Sequence, residues 1–436
     1  MREMKDSGVE WIGTIPSDWG VGRIKYNYYL KGRIGWQGLK ADEFLEEGPY
    51  LVTGTDFFQG RVNWFSCYHI SEERFNEAPE IHVQKGDLLI TKDGTVGKVA
   101  YIDEKPEKVS LNSHLLIMRP TNKSYNNKFL FWVIQSPVFE KYFFFSQNGT
   151  IMASLSQEKI NDFSFALPNM ASQAVISDYL DRKCAQIDTI IAKQEQIIEK
   201  LKEYKLSVIT EAVTKGLDPD VEMKDSGIEW IGSISEFHEV VRLKFLVEGS
   251  LIYGASESGV EYDENLPRYI RITDIDSDGK LKETGKLSLT EQQAKGYILE
   301  DGDVLFARSG GTVGKTFLYE DEYGRAAFAG YLIKATVAKN KLIPKFLYYY
   351  TLSSSYELWK NYIFSQATIQ NIGADKYSDL EIPLPSISEQ EQVIEYLDHR
   401  VGHIENSITK KENLIDKLEQ YKKSLIYEVV TGKKEV

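Results

Sequence analysis

The chain is written twice. Residues 4–13 read "MKDSGVEWIG" and residues 223–232 read "MKDSGIEWIG". "GDLLITKDGTVGK" (86–98) returns as "GDVLFARSGGTVGK" (302–315), and "FSQ" (145–147) returns at 364–366. "ALPNMASQAVISDYLD" (166–181) returns as "PLPSISEQEQVIEYLD" (383–398), in a chain of 436 residues. The period is close to half the length, far beyond the roughly 20–50 residues of a solenoid unit. One domain-sized unit with its connector is therefore used twice, and whatever the protein does it does through two similar bodies.

The connectors are helical. Residues 171–213 hold no Pro or Gly, and Ile187, Ile190, Ile197, Leu201, Tyr204 and Val208 recur at alternating steps of three and four, with Gln194 interrupting. This is the spacing of a coiled-coil seam. Residues 388–430 repeat it through Ile404, Leu414, Leu418, Tyr421 and Leu425, weakened by Gly402, Ser407 and Lys411. Pro168 and Pro385 precede the two starts, and Gly216 and Gly432 follow the two ends. Such helices run roughly 60 Å and cannot bury their stripes alone. The doubling predicts that they pair with each other, antiparallel.

Between the connectors, about 20–165 and 239–383, short β-rich runs such as "PYLVTG", "KVAYI" and "RYIRIT" alternate with turns and helical pieces such as "NKFLFWVIQ". The expected class is α+β, two similar domains each with a mixed, strongly curved sheet.

Several kinds of chemistry can be weighed against this plan. "GGTVGKT" (310–316) resembles part of a phosphate-binding loop, but that loop needs Gly five places before Gly314, where Ser309 stands. The first copy reads "DGTVGKV", with Val99 in place of the hydroxyl. A strand, a glycine turn and a second strand explain both copies. His399 and His403 are spaced to share a metal, yet their first-copy counterparts are Arg182 and Gln186, so exposed helix histidines are expected and no metal site. Only Cys67 and Cys184 are present, which suggests no disulfide framework and fits a reducing cytoplasm. No signal peptide and no apolar run of membrane-spanning length is found. No nucleophile elbow or catalytic tetrapeptide is visible, and the chain is expected to be non-catalytic. The net charge of −13 disfavours nucleic acid taken alone. The two β-rich segments are themselves near neutral, and the acidic excess lies mostly outside them.

The doubled "SGVEWIGTIP" opening, the "GRIGWQGL" stretch (32–39), the glycine hairpin and the "LP…SQ…YLD" entry to a long helix together resemble the specificity subunit of type I restriction-modification systems. The resemblance spans essentially the whole chain. It implies two target recognition domains, at 1–167 and 217–384, each reading one half of a split double-stranded DNA sequence. It implies conserved long helices at 168–216 and 385–436 that separate those domains and dock two methyltransferase subunits. The implied partners also include restriction subunits. S-adenosylmethionine, ATP and magnesium would be bound by the partners, so no cofactor is expected here.

Base reading needs polar side chains on turns, with Lys or Arg for phosphates. Features common to both copies, Gly94/Gly311, Gly97/Gly314 and Lys98/Lys315, are expected to be scaffold or backbone contacts, while Lys92-Asp93 against Arg308-Ser309 differ and suit different bases. The remaining candidates are Arg33, Trp36, Gln37, Thr95, Asn148 and Thr150 in the first copy, and Thr312, Gln366, Thr368 and Asn371 in the second. Two other classes stay open at this point: a protein-only coiled-coil scaffold, and a nucleotide-dependent enzyme using 310–316.

Overall fold

The computed structural model describes residues 2–33, 38–146, 155–276, 279–365 and 370–436. It divides into two compact units: Met1–Gln194 with Asn413–Val436, and Glu195–Glu412.

The two units repeat the same four-stranded sheet. In the first, Val99–Tyr101, Leu88–Thr91, Leu115–Pro120 and Tyr28–Lys31 form an antiparallel sheet in that order. In the second, Thr316–Leu318, Val304–Ala307, Leu332–Ala335 and Ile252–Tyr253 form the same sheet. The β-branched and leucine-rich runs explain the central positions: Leu88, Leu89 and Ile90 are wholly buried, as strands covered on both faces require. The expected single curved sheet is in fact divided among several. The parallel pairing sits in a separate sheet, where Val109–Leu111 joins Leu45–Val52 in the first unit and Arg268–Ile270 joins Ala326–Phe328 in the second. An antiparallel pair closes each unit beside the long helices: Gly20–Arg23 with Ser164–Leu167, and Glu239–Arg242 with Glu381–Leu384.

The long helices run Met170–Lys215 and Ile387–Val430. The side chains of Asn169 and Ser386 accept from the backbone N–H groups of Ser172 (2.9 Å) and Glu389 (3.3 Å), capping the first turns. Gly216, in the left-handed region at φ +80°, ends the first helix. The pairing is antiparallel. The first unit holds the N-terminal half of the first helix and the C-terminal half of the second, and the second unit holds the converse. Ile176, Leu180 and Ile187 share a core with Leu425 and Val429 in the first unit. Val208 and Val213 share a core with Val393, Leu397 and Val401 in the second.

The seam is in phase with the expected one at only half its positions. Ile187, Leu201 and Val208 face inward, as do Ile404, Leu418 and Leu425, but Ile190, Ile197 and Tyr204 are 37–43% exposed and Leu414 and Tyr421 are 41% and 52% exposed. The inward line instead takes Ile191, Ile198 and Lys205 on the first helix and Ile408, Ile415 and Lys422 on the second. The shift is one residue. Ile190-Ile191, Ile197-Ile198 and Leu414-Ile415 are apolar doublets, so hydrophobicity alone does not choose between them. Lys205 and Lys422 hide the true phase because they lay alkyl stems along the seam and pair their ammonium groups with Glu405 (3.3 Å) and Asp188 (2.5 Å). Tyr204 still serves the pairing from the flank, where Arg400 donates to its hydroxyl at 2.6 Å.

Candidate functional site

The repeated motifs resolve first into internal clamps. Gln173 and Gln390, the Gln of each "SQ" or "EQ", are buried and fully hydrogen-bonded. Gln173 Nε2 donates to the carbonyls of Ser124 and Pro168 (2.9 and 2.8 Å), and its Oε1 accepts from Asn126 N (2.9 Å). Gln390 does the same with Lys341, Pro385 and Ile343 (3.0, 3.0 and 2.8 Å). The Asp of each "YLD" takes two donors from the neighbouring domain helix. Asp181 accepts from Trp132 Nε1 (2.9 Å) and pairs with Lys128; Asp398 accepts from Tyr349 (2.6 Å) and Lys345 (2.8 Å). The "GD" carboxylates, unlike those of "YLD", are buried. Asp87 meets Arg119 at 2.7 and 2.8 Å, which holds that guanidinium above the usual arginine pKa, and Asp303 meets Lys334 at 3.1 Å. These acids are structural, since each is saturated by partners of its own unit.

The glycine motif is a hairpin turn. Leu88–Thr91 returns through Val99–Tyr101, and Val304–Ala307 through Thr316–Leu318, both antiparallel. No α-helix follows the glycines, and Gly310–Thr312 is a single 3-10 turn that runs into a strand, so nothing there gathers amide N–H groups around a phosphate in the way a phosphate loop does. Thr316, which would have to reach magnesium, is buried with its hydroxyl 2.6 Å from that of Thr351. Gly94 (φ +69°) and Gly310 (φ +77°) are the equivalent left-handed positions. Gly311, paired with Gly94 from the sequence, is the residue by which the second turn is longer.

At the mouth of each hairpin three segments meet. Lys92 N donates to His114 O (3.0 Å), and Leu155 N donates to Lys92 O (3.0 Å). In the second unit Arg308 N donates to Tyr331 O (3.0 Å), and Ile372 N donates to Arg308 O (2.9 Å). The backbones match while the side chains differ. Lys92 and Asp93 line an open cleft of about 430 Å³ with Gly32 and Gln157. Asp93 Oδ2 lies 3.2 Å from His114 Nδ1. Arg308 sits 4.8 Å over the ring of Tyr253, and Ser309 is bridged to Asn371.

Thr95, Lys98 and Lys315 are exposed on the turns. Thr312 is half-buried, and its hydroxyl has no partner among the described residues. Arg33 is 3% exposed. Its Nε donates to Leu111 O and its Nη2 to Ser110 Oγ, both at 2.9 Å, and burial pushes its pKa down. It ties the strands together from within, and it lines the same cleft as Lys92 and Asp93. Trp36, Gln37, Asn148, Thr150, Gln366 and Thr368 lie outside the described residues. His114, Tyr331 and Tyr253 were missing from the candidates; the signal was present in "NSH" (112–114) aligned on "AGY" (329–331). His399 and His403 face each other with Nε2 atoms 3.2 Å apart, and the described residues hold no group of three metal-ligating side chains. Among the described residues no helix is long and apolar enough to cross a membrane.

Comparison with known proteins places this architecture. The family model for the type I restriction modification DNA specificity domain matches residues 35–203 and 261–420, once per copy of the repeat. The type I restriction enzyme MjaVIII specificity subunit of Methanocaldococcus jannaschii is 24% identical over 96% of this chain and 93% of its own length. The EcoBI specificity subunit of Escherichia coli is 22% identical over 95% and 87%. A solved chain from a type I R-M system, studied for complex assembly and conformational transition, superposes with a TM-score of 0.73 at 15% identity, covering 96% of this chain and 99% of that one. The HsdS subunit from Thermoanaerobacter tengcongensis gives 0.53 at 15% identity, covering 96% and 98%. The chain belongs to the type I restriction-modification DNA specificity family, as a non-catalytic DNA-recognition subunit.

Proposed function

We propose that this chain reads a bipartite double-stranded DNA target, one half-site with each unit, and docks two methyltransferase subunits that methylate adenine, with restriction subunits completing the assembly. The recognition domains are 1–167 and 217–384, and the long helices at 168–216 and 385–436 carry the docking. S-adenosylmethionine, ATP and magnesium belong to the partner subunits, and the assembly works in the cytoplasm. One observation carries this reading: two units share their sheets and buried clamps, yet present different side chains at one matched backbone junction, Lys92/His114 against Arg308/Tyr331. Two readers on one scaffold suit a target of two unlike halves. The relatives' names, all specificity subunits of type I restriction enzymes, support it. The test is co-expression with the methyltransferase subunit followed by mapping of methylated adenines. A split motif with a fixed gap is expected; a contiguous motif, or none, would overturn the proposal.

A further inference from the structure

We propose that Arg308 and Tyr331 are the base-reading pair of the second unit, and Lys92 and His114 the equivalent pair of the first. This rests on the chain's reading as a DNA-recognition subunit and goes further, to the residues that set each half-site.

The two units make matched hydrogen bonds at this junction. In both units the residue after the first hairpin strand donates its N–H to the carbonyl of the residue just before the third strand, at 3.0 Å. A third segment, through Leu155 or Ile372, donates to the carbonyl of the same hairpin residue. Three chain segments therefore fix two side chains next to each other at the sheet end. Tyr331 is 62% exposed and the His114 side chain 61%, so neither is there for packing.

Arg308 is the most telling. Its guanidinium lies on the Tyr253 ring, and its Nε is buried with no hydrogen-bond partner among the described residues. No carboxylate of the described residues pairs with it. A desolvated donor of this kind is costly unless something else accepts from it, and the aromatic face fixes the direction of the fork. A fork held so matches the O6 and N7 acceptors of guanine in the major groove. Tyr331 then contacts the adjoining base pair.

The first unit offers different chemistry on the same frame. Lys92 supplies a cation on a flexible stem, which also seeks guanine acceptors. Asp93 can only accept, so the His114 Nδ1 facing it at 3.2 Å carries the proton. Its Nε2 edge is left to meet a base edge, as an acceptor in the neutral ring and a donor in the charged one. The buried clamps keep the same geometry in both units, whereas these positions change residue type. That is the division expected between scaffold and reader.

The test uses the full chain assembled with its methyltransferase subunit, wild type against Arg308→Ala, Tyr331→Ala, Lys92→Ala and His114→Ala. Tyr331 and His114 are exposed, and the conservative Arg308→Lys guards against a folding effect at the half-buried site. Methylated adenines are mapped and competing oligonucleotides compared. The second-unit variants should lose about tenfold to a hundredfold of discrimination at one or two adjacent positions of one half-site, leaving the other half intact. The first-unit variants should do the converse. Unchanged discrimination at every position, whether or not overall affinity falls, would overturn the assignment while leaving the recognition reading intact. Relaxation of both half-sites by one variant would overturn it too. A wild-type assembly that leaves no split motif would overturn the recognition reading itself, and needs no variant to be seen.

Discussion

Asn126 donates its backbone N–H to the buried side-chain carbonyl of Gln173 at 2.9 Å. Through that bond, and through the bonds from Gln173 Nε2 to Ser124 and Pro168, one amide fastens the start of a domain helix to the start of the long helix. Gln173→Leu keeps the approximate volume but strands a buried N–H and two carbonyls. It should destabilise its unit by about 2–3 kcal/mol, read from denaturant titration of the full chain. Gln390→Leu should cost the second unit as much. A loss below about 0.5 kcal/mol would mean that water replaces the amide.

The phase of the helix seam gives a second prediction. Ile198 is 6% exposed and its neighbour Ile197 37%. Ile198→Ala should cost about 2 kcal/mol or more, and Ile197→Ala less than about 0.5. Urea midpoints of the two variants, compared side by side, decide which Ile of the doublet lies in the seam.

Much of this was legible in the sequence, and the gaps have particular causes. The repeat, the hairpins and both long helices follow from spacing. The heptad phase does not, because Ile190-Ile191 and Ile197-Ile198 leave it degenerate and Lys205 and Lys422 occupy inward positions that look polar. Nothing local to Arg33 shows that Ser110 and Leu111, far along the chain, will accept its donors. His114 and Tyr331 are not legible from the glycine motif, because they lie outside it and join it only through hydrogen bonds between strands.

Both thiols should be inert in the native chain. Burial pushes Cys67 and Cys184 up to about 12, so the reactive thiolate is scarce at pH 8. Alkylation by iodoacetamide at that pH should run at least about a hundredfold slower than for an unfolded control, and rise steeply only as the pH nears 12 or the chain unfolds. Rapid labelling of Cys184 at pH 8 would show that the packing around the first helix opens.

Lys315 is exposed on the second hairpin turn. Lys315→Ala should leave any ATP turnover by the proposed assembly unchanged, since the fold offers no phosphate cradle there. If Lys315 contacts a DNA phosphate, the slope of log affinity against log salt should become shallower by about 1. Filter binding across a salt series measures the second effect, and ATP turnover the first.

Each unit is expected to read its own half-site, and the matched clamps make one exchange especially direct. Residues 239–384 bring Ile343, Lys345 and Tyr349, the donors to Gln390 and Asp398. Gln173 and Asp181 stand ready to receive the same donors in the first unit. Replacing residues 20–167 with a second copy of 239–384 should therefore fold. The measurement is the adenine-methylation map made by this chain with its methyltransferase subunit. A target that carries the second half-site twice and has lost the first is expected. Retention of the original first half-site would place its reading outside residues 20–167 and contradict the account.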